Sequence, residues 1–115
     1  MVKRLVVGAH YGLRDWLAQR VTAVAMFVYT LVLLVTLLSG PPLTQESWRA
    51  LMSGTCMRIV SFVFILSLCY HAWVGVRDIW MDYIKPAGLR LAMHALTLLA
   101  LIGYAGWATQ ILWRL

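Results

Sequence analysis

Tyr70–Pro86 reads YHAWVGVRDIWMDYIKP, and its reading decides the fold. It begins inside an apolar run and stops at a proline. On an α-helix each residue advances by about 100°, so positions i, i+4, i+7 and i+11 share a face. Here those positions are His71, Gly75, Asp78 and Asp82. One stripe therefore carries an imidazole, a missing side chain and two carboxylates. A soluble helix could show such a stripe to water. At membrane depth it costs several kcal/mol unless something uses it, so the solvent around this stretch has to be settled first.

Composition settles it. Hydrophobic residues make up 63% of the 115-residue chain and charged residues 12%, against roughly 45–50% and 25% in soluble domains. A soluble domain of this size cannot bury so much apolar surface, whereas a bundle of membrane helices leaves it to lipid. The formal charge of +6 comes from basic residues scattered at the ends of apolar runs. They form no continuous patch, so no nucleic-acid binding is expected. Cys56 and Cys69 form neither a C-x-x-C pair nor a haem-attachment motif, and both are expected to be unpaired small residues. No cleavable signal peptide is expected, because only Leu5–Val7 follow Lys3 and Arg4 before Gly8.

Outward from the central stretch, three long apolar runs are spaced along one domain, residues 1–115. Val21–Leu38 is free of charge and covers about 27 Å, close to the ~30 Å hydrocarbon core. Ser39-Gly40-Pro41-Pro42 ends it. Ile59–Val76 is the second run, continuing as helix to about Asp82, since no breaker comes before Pro86. Leu91–Trp113 is the third. Spans are expected at about 16–38, 57–80 and 90–113, after an irregular start and a first helix opening near Leu13–Trp16. Between the first two spans, Thr44 is placed to cap a short interfacial helix. Gly103 and Gly106, with Ala100 and Ala105, give the third span a small-residue face for close helix contact.

Lys3, Arg4, Arg14, Arg20, Arg77, Lys85 and Arg90 fall on one side of such a three-span chain; Arg49, Arg58 and Arg114 fall on the other. The positive-inside rule then puts the N-terminus in the cytoplasm and the C-terminus in the periplasm. The fold class expected is an all-α integral membrane protein with three transmembrane helices.

His71 sits about 7 Å below the cytoplasmic edge of the second run. It suits either a hydrogen-bonded packing histidine or an axial haem ligand, which neutral imidazole commonly provides. Gly75 clears space beside it for something flat and wide. His94 lies at a similar depth on the third span, so an intrachain His71–His94 haem pair is open as well. Asp82 and Tyr83 fall about 16 Å farther along the helix, at the interface. They suit a solvated helix end, or a quinone site in which a tyrosine hydroxyl donates to a carbonyl oxygen and a carboxylate relays protons. Arg20, at the mouth of the first span, can snorkel to headgroups or pair with an anion such as a haem propionate.

The motif H-A-W-V-G-x-x-D-x-x-x-D-Y-x-K-P over His71–Pro86, the R-V-T-A sequence at Arg20–Ala23 and the three spans together resemble the hydrophobic membrane anchor of bacterial succinate dehydrogenase, the succinate–quinone oxidoreductase complex. The likeness covers essentially the whole chain; the basic Lys3-Arg4 start is not part of it. The resemblance implies a multi-pass subunit of the bacterial inner (cytoplasmic) membrane that bundles with a second, companion anchor. It implies that His71 is one axial ligand to the iron of a b-type haem whose other ligand the companion anchor supplies, and that Arg20 lies near the haem propionates. It also implies that Asp82 and Tyr83 help form the ubiquinone site. Partners would be the companion anchor, the iron–sulfur subunit and the flavoprotein subunit, with ubiquinone as substrate. This chain has no iron–sulfur cysteine motif and no nucleotide-binding pattern, so it is not expected to oxidise succinate alone, and no catalytic residue is assigned. The contrasting reading is a structural three-helix scaffold or assembly subunit without haem.

Overall fold

The computed structural model describes residues 7–115, with side chains described from residue 12 onward. Lys3 and Arg4, which count toward the expected orientation, lie outside the described residues. Among the described residues four helices follow one another: α1 (Val7–Ser39), α2 (Gln45–Met52), α3 (Thr55–Tyr83) and α4 (Ala87–Trp113). Three of them, over Gly12–Ser39, Thr55–Tyr83 and Ala87–Trp113, are long and apolar enough to cross a membrane.

The helix ends follow from local chemistry. α1 stops where a Cβ on Gly40 would meet the Thr36 carbonyl oxygen at 2.9 Å, a contact that only glycine avoids without a backbone shift. Pro41 and Pro42 then prevent renewal of the helix. α2 opens on a reciprocal cap: Thr44 Oγ1 accepts from the Ser47 N–H (3.1 Å), and Ser47 Oγ accepts from the Thr44 N–H (2.9 Å). α3 continues to Tyr83 and closes when the Ile84 N–H donates to the Trp80 carbonyl at 3.0 Å. Pro86, fixed at φ −63°, is the N-cap of α4. The connection between α3 and α4 is thus very short, and the two helices run antiparallel as neighbours. α1 differs from expectation at its start, since it is already helical at Val7. The segment 7–16 contains no proline, and two glycines cost only about 1 kcal/mol each, too little to stop a helix that continues into a long apolar span.

α3 is the middle of the layer. It packs against α1 on one side and α4 on the other, while α1 and α4 share no comparable contact. Among the described residues few side chains are buried: Tyr29, Met52, Val74 and Leu112 among the apolar ones, and Ser61. Large apolar residues such as Leu38 (77% exposed) face outward along every span, which is tolerable only where lipid or another subunit replaces water. The threonine hydroxyls within the spans are satisfied at home. Thr22, Thr30, Thr36, Thr97 and Thr109 each donate to the carbonyl four residues back, at 2.6–2.8 Å, as backbone and side-chain polar groups in hydrocarbon require.

Of the small residues on α4, Ala105 lies toward α3 but the two glycines do not. Gly103 and Gly106 have nothing within 4 Å of where a Cβ would stand. α4 instead meets α3 through His94, against Trp73; Thr97, whose hydroxyl accepts from Trp80 Nε1 at 2.9 Å; and Leu101, whose carbonyl lies 3.8 Å from Cys69 Sγ. That contact line rotates Gly103 and Gly106 to the outside. Cys56 and Cys69 are both free.

Candidate functional site

The seam between α1 and α3 is built from two polar stripes. On α1, Asp15, Gln19, Thr22 and Tyr29 are spaced 4, 3 and 7 residues apart, which keeps them on one face. On α3, Ser61, His71, Gly75 and the residues around Asp78 face them. At one end of the seam, Tyr29 and Ser61 share a hydrogen bond of 2.6 Å, with the tyrosine ring stacked 4.4 Å from Phe64. In the middle, His71 Nδ1 lies 3.1 Å from Thr22 Oγ1. At the other end, Arg77 is bonded to the Asp15 carboxylate, and a second carboxylate, Asp78, lies 3.7 Å from the same guanidinium nitrogen.

His71 is half-buried, and its Nε2 makes no hydrogen bond to a described residue. Gly75, one turn away, faces α1. A Cβ there would come no nearer than 4.0 Å to any atom, the nearest being Gln19 Nε2. The space the glycine leaves thus opens toward Gln19, whose Oε1 is buried with no hydrogen-bond partner. Arg14, Asp15, Tyr70, Arg77, Asp78 and Met81 line a charged cleft of about 460 Å³ at this end. A separate apolar cavity of about 370 Å³, between Tyr29, Trp48, Met52, Phe64 and Leu112, lies toward the opposite end and holds none of the candidate residues.

The other candidates are not gathered around His71. Asp82 and Tyr83 stand together in the last turn of α3, both exposed, Tyr83 at 77%. Arg20 is exposed, and its guanidinium sits 5.3 Å from the centre of the Trp16 ring. It is two residues, or about 200°, from Thr22, and so points out of the α1–α3 seam. His94 packs edge-on to Trp73, ring centres 5.8 Å apart, with Nε2 buried and unpartnered. Trp73 is about 200° around α3 from His71. The two histidines therefore lie on opposite flanks of α3, and no single planar ring can sit between them. The self-contained His71–His94 pair is ruled out by this geometry.

The donor set fits one axial haem ligand rather than a bare-metal site. Among the described residues no three His, Cys, Asp or Glu side chains converge to hold an ion. A single half-buried imidazole offers one coordinating nitrogen, and the orphaned Gln19 oxygen marks a polar need beside it that this chain leaves unmet. Thr22, Gln19 and Asp15 were not among the residues singled out from sequence. The signal that could have found them is their own i, i+4, i+7 spacing, which mirrors that of His71, Gly75 and Asp78.

A family model described as the succinate dehydrogenase/fumarate reductase transmembrane subunit matches residues 2–109. A relative from Coxiella burnetii (strain RSA 493 / Nine Mile phase I), the succinate dehydrogenase hydrophobic membrane anchor subunit, is 40% identical over 102 residues, covering 89% of each chain.

Proposed function

From the premise that the chain belongs to the family of succinate dehydrogenase and fumarate reductase transmembrane subunits, we propose that it anchors a succinate dehydrogenase in the bacterial inner membrane and supplies part of its route from succinate to ubiquinone. His71 would ligate the iron of a b-type haem shared with a second anchor. A haem bound there would supply one-electron redox capacity beside the quinone site. The iron–sulfur and flavoprotein subunits are the other partners.

The observation that carries this proposal is the placement of His71: an imidazole at membrane depth, fixed at Nδ1 by α1 and with Nε2 left for a ligand. An intramembrane histidine is expensive to keep without use. Asp82 and Tyr83 have the chemistry for a quinone at the helix exit. The phenolic hydroxyl donates to a carbonyl oxygen, and the neighbouring carboxylate takes protons from water and passes them on. Arg20, free of the seam, is available to a propionate from its outward face, and among the described residues no pairing has to be broken apart from its contact with Trp16.

His71→Ala in the intact complex is expected to abolish the b-type signal in reduced-minus-oxidised spectra of membranes. An unchanged signal overturns the ligand assignment and leaves a structural scaffold, which would also purify in mild detergent without haem or a flavoprotein partner.

A further inference from the structure

The hydrogen bonds around His71 determine more than its position. Thr22 Oγ1 has one proton and lies 2.6 Å from the Ala18 carbonyl oxygen, a short O–H···O distance, and 3.3 Å from that of Gln19. It lies 3.1 Å from His71 Nδ1, an ordinary N–H···O distance. Two proton arrangements are available. In the first, the hydroxyl donates to the Ala18 carbonyl and accepts from Nδ1–H, so two bonds form and Nε2 carries only a lone pair. In the second, the hydroxyl turns to donate to Nδ1. The bond to Ala18 is lost, and the ring proton moves to Nε2, where no described residue accepts it. The lost bond to Ala18 counts against the second arrangement, and so does an Nε2 proton left without an acceptor among the described residues. The first arrangement is favoured on both counts.

We propose that Thr22 is a positioning residue for His71. Its hydroxyl, already committed to the Ala18 carbonyl, accepts the Nδ1 proton, fixes the imidazole as the Nδ1–H tautomer and holds the Nε2 lone pair ready for haem iron. The proposal rests on the reading of His71 as an axial ligand. A ligating histidine that donates its other N–H is both oriented and made more basic. Thr22 thereby also tunes the iron: greater basicity in the ligand favours the oxidised metal and holds the potential down. The threonine is well suited to this. Its back-bond to the preceding turn, common for Thr in helices, turns a group that could donate or accept into an obligate acceptor toward the ring.

The test uses the whole complex in membranes and four variants. Thr22→Val and Thr22→Ala both remove the hydroxyl, one with the bulk kept and one without; Thr22→Ser keeps it; His71→Ala removes the ligand. With the hydroxyl gone, the haem midpoint potential is expected to move positive in both variants, and haem is expected to be lost on detergent washing about tenfold more readily. Thr22→Ser is expected to match the unaltered complex. A Thr22→Val complex with unaltered potential and haem retention overturns the proposal, and so does a Thr22→Ser complex shifted as far as Thr22→Val. If His71→Ala loses the b-type spectrum while the Thr22 variants behave as wild type, the ligand reading stands and only the positioning role falls. If His71→Ala keeps the spectrum, the ligand reading falls first and takes this proposal with it.

Discussion

Tyr83 is exposed over 77% of its surface although it closes a helix rich in apolar residues. Its ring buries little within the chain, so removing only the hydroxyl should leave stability within about 0.5 kcal/mol. The same oxygen is the donor that a quinone carbonyl would need. Tyr83→Phe is therefore expected to cut quinone reduction by succinate roughly tenfold or more, a loss of about 1.4 kcal/mol of transition-state stabilisation. Succinate oxidation with a soluble artificial acceptor should persist at its original rate. Equal loss of both activities, or loss of neither, would remove Tyr83 from the quinone site. At the same scale, His71 and Arg20 differ in kind. The imidazole is held by a bond to the neighbouring helix, while among the described residues the guanidinium rests on its own helix's tryptophan. Any anion Arg20 meets must come from outside the seam.

Between elements, α1 and α3 are held by polar contacts at three depths: Tyr29–Ser61, Thr22–His71 and Asp15–Arg77. Inside a bilayer there is no hydrophobic drive between helices, so packing and interhelical hydrogen bonds have to supply specificity. The Tyr29–Ser61 bond is the best isolated of the three, because Ser61 is 2% exposed and the ring stacks on Phe64 whether or not the hydroxyl is present. Tyr29→Phe is expected to destabilise the protein by about 1 kcal/mol in a reversible detergent unfolding assay. Combined with Ser61→Ala, the two changes should cost less than their sum, with a coupling of about 0.6 kcal/mol. Strictly additive effects would show that the hydroxyls contribute nothing to each other. The α3–α4 contact has a different character. Trp73 on His94, Trp80 donating to Thr97 and Cys69 beside the Leu101 carbonyl fill that side with aromatic edges.

For the whole molecule, three spanning helices and a short helix make a thin layer with most of its apolar surface outward. A lone copy has few buried side chains to define it, so a stable assembly with other subunits is part of its folding. Three spans put Cys56, at the start of α3, on the opposite side of the membrane from the α3–α4 connection. The distribution of Lys and Arg predicts that this side is the periplasm. Cys56 is exposed and Cys69 lies mid-helix against α4. A membrane-impermeant maleimide applied to spheroplasts is expected to label Cys56, with the labelling abolished in Cys56→Ser. Labelling seen only after the membrane is opened would reverse the topology.

The residue string alone determined the membrane class, the number of spans and most helix ends, because those depend on local quantities: hydropathy over about twenty residues, Pro and Gly as breakers, and Thr44 as a cap. It also put His71, Asp78 and Asp82 on one face of a single helix, since spacing along a helix fixes a shared face, with Tyr83 beside Asp82 at its end. What it could not determine was which face of each helix meets which neighbour. In lipid, apolar residues occur all round a span, so hydrophobic periodicity carries little information about facing. Three outcomes turned on that choice. Gly103 and Gly106 point away from α3, His94 ends on the far flank of α3 from His71, and Thr22 becomes the partner of the imidazole. Each depends on how α1 and α4 are rotated against α3, which only hydrogen bonds and side-chain packing across the seams decide.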